Sequence, residues 1–203
     1  RTEAERKEAT NVKLQSELQH LRYQLQPHFF FNSLNNIYSL VDVSPEQAKS
    51  TIHSLGKLMR YLLYETNIEE VELSKEIDFM RKYIDLMKLR VSEKTKVNYS
   101  FPTKETHIKI APLIFISLIE NAFKHGVSAQ KESVISIELT TQGKSVVFHI
   151  QNYNFPKETD DKSGSGIGLQ NLEKRLGLLY PDRYSFEKSL KEGVFSINLR
   201  IET

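Results

Sequence analysis

The sequence has no cysteine among its 203 residues, which excludes a disulfide scaffold, a thiolate nucleophile and a cysteine-ligated zinc or iron–sulfur site. It also lacks any run of about 18 apolar residues, the length that a membrane-spanning helix requires. Neither sign of charge is in large excess, since the sequence has 28 lysines and arginines and 26 aspartates and glutamates. That balance argues against a dedicated nucleic-acid binder. What remains is the composition of a globular protein.

The chain opens at Arg1 rather than at methionine, and no signal-peptide pattern follows. We therefore expect a fragment of a longer protein, with any sensor or membrane segment upstream of it. Residues 1–26 contain neither glycine nor proline, and four of their leucines form an a/d heptad seam. This seam favours a dimeric coiled coil. The seam leucines are Leu14, Leu18, Leu21 and Leu25.

Pro27 interrupts this helix, because proline lacks the backbone N–H and clashes with the preceding turn. The segment after it is apolar nearly all round, which predicts burial in a helical bundle. Its apolar residues are Phe29, Phe30, Phe31, Leu34, Ile37 and Leu40. A second amphipathic helix is predicted to open with a Ser44–Gln47 capping box and with Pro45 at its first position. It should end near residues 66–67, and two copies of this hairpin would make a four-helix bundle.

From residue 69 onward, strand and helix patterns alternate. Ser74 is predicted to cap a helix, Pro112 to open one over residues 112–126, and Pro181 to close one over residues 167–180. Strands are predicted at residues 96–101, 107–110, 134–141, 145–151, 184–189 and 194–201, and a polar loop at residues 154–166. The chain should therefore divide into a helical module, residues 1–67, and an α/β unit, residues 68–203. The expected fold class is α+β.

Glycines at alternate positions precede the helix predicted at residues 167–180. Gly164, Gly166 and Gly168 offer bare backbone N–H groups beside a positive helix end, which suits phosphate oxygens. A flexible loop that merely ends at a helix has the same spacing. The pattern is neither a Rossmann fingerprint nor a Walker A motif, because its spacing differs and no Lys-Ser/Thr pair follows the glycines.

The helix predicted over residues 112–126 has one polar face. Ser117, Asn121, Lys124 and His125 are three or four residues apart, and Glu120 lies at the border of their face. An amide, an ammonium, an imidazole and a carboxylate together could hold a metal-bound polyphosphate. A solvated helix face is the alternative interpretation.

His28 lies just after a helix-interior proline, in register with the leucine seam. Asn32, one turn further, could hold the second ring nitrogen of a reactive His28. The alternative is a histidine that only packs in a bundle.

Three segments of the chain resemble the LytS-type sensor histidine kinases. QPHFFFNSLN at residues 26–35 is similar to their phosphoacceptor motif, ENAFKHG at residues 120–126 to their N box, and GIGLQNLEKRL at residues 166–176 to their second glycine box. The resemblance implies a dimerisation hairpin followed by a GHKL-type α/β sandwich that binds ATP. It implies transfer of the γ-phosphoryl group of ATP to His28, and onward to an aspartate of a response regulator.

Roles at the site follow from this resemblance, residue by residue. Asn121 matches the Mg²⁺ ligand of the superfamily, and Lys124 and His125 match residues that contact phosphate. Glu120 is the candidate for orienting or deprotonating His28, and Asn32 for orienting its ring. The resemblance also implies ATP-binding roles for Gly164, just before the second glycine box, and for Gly166, Gly168 and Leu169 within it.

One position departs from the superfamily pattern. Asn152 and Asn154 stand where relatives carry the Asp and Gly of an Asp-x-Gly run, whose Asp accepts a hydrogen bond from the adenine amino group. An amide oxygen can accept that bond, but charged acceptors make stronger ones. We expect weaker nucleotide binding than in relatives with Asp.

The resemblance also implies partners and a location. It predicts a homodimer that acts on a response regulator with a receiver domain, without nucleic acid, in the cytoplasmic portion of a bacterial inner-membrane protein. Contact with the membrane would run only through a missing N-terminal sensor segment. A pseudokinase scaffold with a degenerate nucleotide site is the alternative. An ATP hydrolase is a third reading, although Ser117 occupies the position where those enzymes carry a water-activating Glu.

Overall fold

A computed structural model of the chain describes residues 27–103, 107–155 and 167–203. The coiled coil predicted for residues 1–26 lies outside the described residues, as do Gly164, Gly166 and most of the loop predicted at residues 154–166. None of the helices in the described ranges is long and apolar enough to cross a membrane.

The first two helices form a hairpin. Helix α1 is Pro27–Val43 and helix α2 is Pro45–Arg60, with only Ser44 between them. Phe29, near the start of α1, and Leu62, just after α2, line the same small cavity, so the helices run antiparallel. Pro45 lies in the first turn of α2 as predicted, but the capping box is wrong because the Ser44 side chain makes no capping bond. Instead, the Ser44 N–H donates to the Leu40 carbonyl (2.8 Å), which continues the α1 ladder.

Only one face of α1 is buried within the single chain. Phe29 and Ile37 are 6% exposed, whereas Phe31 is 67% and Leu34 54% exposed. Burial of the other faces in a bundle of two hairpins stays a prediction, because the structure describes one subunit. The exposed apolar side chains of α1 form an outward stripe, and two further apolar residues are exposed on α2. The stripe consists of Phe31, Leu34, Tyr38 and Val41, and the residues on α2 are Ile52 and Met59.

The hairpin continues into a short π-helix, Tyr61–Glu65, which ends at Thr66 as predicted. Strand β1, Val71–Glu72, then leads directly into helix α3, Leu73–Lys88. The prediction that Ser74 caps α3 is wrong, because the helix begins one residue earlier. The Leu73 N–H donates to the Ile108 carbonyl (2.9 Å), so a neighbouring segment satisfies one of the N–H groups at the start of the helix.

A five-stranded sheet forms the second half of the fold. Its strands are β2 Thr95–Ser100, β4 Ser133–Gln142, β5 Ser145–Tyr153, β6 Tyr184–Lys191 and β7 Val194–Glu202, and a separate short strand, β3 Lys109–Ile110, pairs with β1. The order is β2-β4-β5-β7-β6, with β2 and β4 parallel and the other pairs antiparallel. Gly143 (φ 61°) and Gly193 (φ 77°) lie in the tight turns β4–β5 and β6–β7, where a positive φ favours glycine.

Alternate residues of the three central strands are buried, as period-two patterning requires. Helices α4, Ile116–His125, and α5, Ile167–Leu179, pack with α3 against this sheet. The prediction that Pro112 opens α4 is wrong by four residues, because Leu113 adopts φ 61° and interrupts the helical path. The predicted fold class, a helical hairpin followed by an α/β sandwich, is confirmed.

Candidate functional site

Helix α4 separates its apolar and polar faces as its periodicity predicts. Leu118, Ile119 and Ala122 are buried against the sheet, while Asn121 is partly exposed and Lys124 exposed. His125, also partly exposed, ends the helix. The structure therefore presents an amide, an ammonium and an imidazole on one side of a rigid helix, with the core fixing its orientation.

Glu120 points away from that group, towards α3. Its Oε1 accepts a hydrogen bond from the Tyr83 hydroxyl at 2.9 Å. Burial raises the pKa of Glu120 to about 7, although the bond from Tyr83 acts in the opposite direction. Glu120 therefore belongs to a pocket between α3 and α4, and not to the Asn121–Lys124 face.

The first turn of α1 reaches the same pocket. His28 is the second residue of α1, and its side chain lies outside what the structure describes. The ring of the next residue, Phe29, stacks on the Tyr83 ring with centroids 4.5 Å apart. Phe29, Tyr83 and Glu120 line one cavity together. Asn32 lies one turn further along α1 and is partly exposed, so its contact with the His28 ring stays a prediction.

Asn152 lies at the end of β5, where that strand meets the end of α4. It is 2% exposed, and its amide nitrogen donates to the Tyr153 carbonyl at 2.7 Å. A Cβ placed on Gly126 would lie 2.7 Å from the Asn152 Cβ, closer than real side chains approach. Glycine at the end of the ENAFKHG segment is thus required for the strand and the helix to meet.

Two of the four residues with predicted ATP-binding roles near the second glycine box are described. Gly168 and Leu169 lie in the first turn of α5, and Leu169 packs against the core. Among the described residues, none lies within 4 Å of a Cβ placed on Gly168. An ATP contact of either residue stays a prediction, as does that of Gly164 and Gly166.

Sequence reasoning missed a buried polar network beside the site. Glu76, fully buried on α3, accepts hydrogen bonds from the Tyr61 hydroxyl (2.5 Å) and the Leu113 N–H (2.9 Å). Arg175 of α5 donates to the carbonyls of Pro112 and Leu113. Burial raises the pKa of Glu76, while its two donors and Arg175 lower it. This network joins the end of the hairpin, α3, the turn before α4, and α5.

Two signals in the sequence point to these missed residues. Glu76 is a carboxylate among the apolar residues of α3, next to Ile77 and three residues before Phe79. A buried acid needs partners, which the sequence does not name. Tyr83 lies between the buried Met80 and Ile84 of α3, and its hydroxyl needs a polar partner when it is buried.

The residues on α4 fit a magnesium-bound polyphosphate better than a closed metal cage. Within residues 27–103, 107–155 and 167–203, no group of three or more His, Cys, Asp and Glu is placed to hold a metal ion. Mg²⁺ usually keeps several waters and binds through few protein ligands plus substrate phosphates. The Asn121 amide oxygen suits such an ion, and the Lys124 ammonium suits phosphate oxygens.

Comparisons with known proteins agree on one family. The histidine kinase family model matches residues 16–95. Over 81% of its length the chain is 30% identical to the sensor histidine kinase YpdA of Escherichia coli (strain K12) and 29% identical to the sensor protein LytS of Staphylococcus haemolyticus (strain JCSC1435). The chain spans only 31% and 30% of the lengths of those two relatives.

A solved structure shows the same fold at low sequence identity. The histidine kinase domain of the Erythrobacter litoralis EL346 blue-light activated histidine kinase matches with a TM-score of 0.51 and 13% identity. That match covers 94% of this chain and 95% of the other. By sequence, the chain is thus a relative of the LytS-type sensor histidine kinases.

Proposed function

We propose that this chain is the kinase portion of a two-component sensor, which transfers the γ-phosphoryl group of ATP to His28 and then to an aspartate of a response regulator. One observation carries the proposal. The turn that holds His28 is docked, through Phe29, in the cavity that also contains Glu120 of the ENAFKHG segment. A histidine that only packs in a bundle has no need to begin its helix beside a carboxylate on the nucleotide-binding unit.

Bound ATP with Mg²⁺ would supply the γ-phosphoryl group and balance its charge. Asn121 would hold the metal ion, Lys124 and His125 the phosphate oxygens, and the backbone at Gly164, Gly166, Gly168 and Leu169 the remaining phosphates. Glu120 would orient the His28 ring or accept its proton. Phosphoryl transfer depends mainly on positioning and charge stabilisation, so no strong base is required.

Asn152 is proposed to select the nucleotide base. One N–H of its amide donates to the Tyr153 carbonyl, and its amide oxygen is the acceptor that it could offer to a base. The amino group of adenine is a donor, whereas the corresponding position of guanine is an acceptor. The arrangement therefore favours ATP over GTP.

For Asn152→Ala we expect ATP affinity to fall by about fivefold, the value of one ordinary hydrogen bond, and the preference for ATP over GTP to disappear. Calorimetric titration of both nucleotides, on the variant and the wild-type chain, measures this. An unchanged ATP:GTP preference in the variant would remove Asn152 from the base-binding site.

The outward stripe on the hairpin supports a homodimer. Phe31, Leu34 and Tyr38 are spaced three and four residues apart on α1, and each is more than half exposed. Contiguous exposed apolar surface of this kind marks an interaction face, and pairing two hairpins would bury it in a four-helix bundle. The division near residue 67, into a helical module and an ATP-binding unit, belongs to the same proposal.

The remaining parts of the proposal concern the longer protein. LytS-like relatives are sensor proteins, and this chain spans less than a third of two of them. We infer that the chain is the cytoplasmic portion of a bacterial inner-membrane kinase. Its sensor segment would precede residue 1, and its partner would be a response regulator rather than nucleic acid.

The experiment is a labelling assay on the 203-residue chain with Mg²⁺. We expect label from γ-labelled ATP to enter the protein and label from α-labelled ATP not to. The bond should be acid-labile and alkali-stable, as a phosphohistidine is. Nucleotide binding without any labelling would instead favour the pseudokinase scaffold. That function is the second candidate because Asn152 stands where relatives carry an aspartate.

A further inference from the structure

Phe29 connects the phosphoacceptor turn to the rest of the chain. It directly follows His28 in α1, and only 6% of its surface is exposed. Its ring lies nearly parallel to the Tyr83 ring, with an interplanar angle of 26°. Aromatic stacking of this kind restricts orientation as well as burying area. Because Phe29 directly follows His28, the contact with Tyr83 also restrains the His28 backbone.

Tyr83 connects this turn to Glu120. The tyrosine is 3% exposed, so its ring and hydroxyl are both held by packing. Its hydroxyl donates to Glu120 Oε1, while its ring supports Phe29. The apolar walls of the cavity around Glu120 come from α3, α4, the π-helix and the turn before α4. The side chains are Leu62, Phe79, Leu113 and Ile116.

All of these contacts form within one chain. We propose that Phe29 and Tyr83 are positioning residues that dock the phosphoacceptor turn against Glu120 of the same subunit, so that phosphoryl transfer to His28 runs within a subunit. The inference rests on the proposed kinase function and adds to it which residues align the acceptor and which subunit supplies the nucleotide. In the transfer, the bond from the terminal phosphorus to the bridging oxygen breaks, a bond to an imidazole nitrogen forms, ADP leaves, and the ring proton passes to Glu120 or solvent.

The first test separates positioning from folding. Tyr83→Phe keeps the ring that supports Phe29 and removes only the hydroxyl on Glu120. We expect the labelling rate at saturating ATP to fall by about tenfold, while the ATP concentration for half-maximal rate stays within about twofold. The matched control is Tyr61→Phe, which removes a buried hydroxyl from the Glu76 carboxylate instead. That control should lower the melting temperature and leave the rate unchanged.

A second variant protects this test against misfolding. Phe29→Leu keeps an apolar side chain and removes the ring stacking, and it should lower the same rate. Combined with Tyr83→Phe, it should cost less than the product of the two single effects, because both residues act through one line of contacts. Unchanged or faster labelling in Tyr83→Phe would overturn the positioning role, as would a loss that appears only in ATP affinity.

The second test asks which subunit is labelled. Differently tagged chains are co-expressed, and mixed dimers are purified through both tags. With wild type paired to a His28→Gln, Asn121→Ala double variant, transfer within a subunit leaves the wild-type subunit labelled. In the second mixed dimer, a His28→Gln subunit is paired with an Asn121→Ala subunit. Transfer within a subunit then leaves both subunits unlabelled. Transfer between subunits would instead label the Asn121→Ala subunit, and that result overturns the inference. Wild-type dimers that take no label would contradict the proposed kinase function itself.

Discussion

Replacing Asn121 with alanine is expected to lower the labelling rate by about 100-fold, the upper end of the loss seen when a residue that only supports a metal ligand is removed. Asn121 is partly exposed on α4, whose buried face is formed by other residues, so the fold should persist. The loss should appear as weaker Mg²⁺-dependent binding of ATP together with slower transfer. Initial labelling rates and ATP titrations with and without Mg²⁺ measure both.

The matched control for this variant is Asn98→Ala, which removes the same amide from an exposed position on β2. It should leave the rate and the Mg²⁺ dependence unchanged. If Asn121→Ala retains more than half of the wild-type rate, or loses activity only together with its fold, the proposed metal ligand is wrong.

Replacing Glu76 with alanine is expected to lower the free energy of unfolding by about 3 kcal/mol. The substitution would leave the Tyr61 hydroxyl and the Leu113 N–H buried without their acceptor. Each buried donor left unsatisfied costs about 1–3 kcal/mol. Because Leu113 precedes α4, the change should also loosen the turn that sets the position of that helix. Urea denaturation followed by circular dichroism gives the free energy.

Two controls sharpen this result. Glu76→Gln keeps an oxygen that can accept from Tyr61 and Leu113, so it should cost less than half as much as alanine. Glu72→Ala removes an exposed carboxylate from the residue before α3, and its effect should stay within about 0.5 kcal/mol. A Glu76→Ala variant as stable as the Glu72→Ala variant would contradict a structural role for the buried network.

Local chemistry made most of the fold predictable from the sequence. Strands β4 and β5 alternate apolar and polar residues, and Gly143 between them has the positive φ that a tight turn needs. The helix starts were less predictable. Ser74 and Pro112 are good local start signals, yet α3 begins where the Ile108 carbonyl supplies a partner and α4 begins beyond the turn at Leu113. Tertiary contacts decided both boundaries.

The candidate site also has a part that the sequence predicts and a part that it does not. Helical periodicity alone places Asn121 and Lys124 on one face, which the burial pattern of α4 matches. The partner of Glu120 was not predictable, because Tyr83 lies 37 residues away and meets it only when α3 packs on α4. Periodicity identifies which side of a helix faces the core, but it does not identify which buried polar groups will pair there.

Mapping the phosphorylated residue shows directly whether His28 accepts the phosphoryl group. The chain contains six histidines, so the other five serve as internal controls. After labelling with γ-labelled ATP, the chain is digested at neutral to alkaline pH and its phosphopeptides are sequenced by mass spectrometry. We predict one acid-labile phosphoryl group, on His28, and no label in His28→Gln. Label on another residue, or label that survives in His28→Gln, would show that His28 is not the phosphoacceptor.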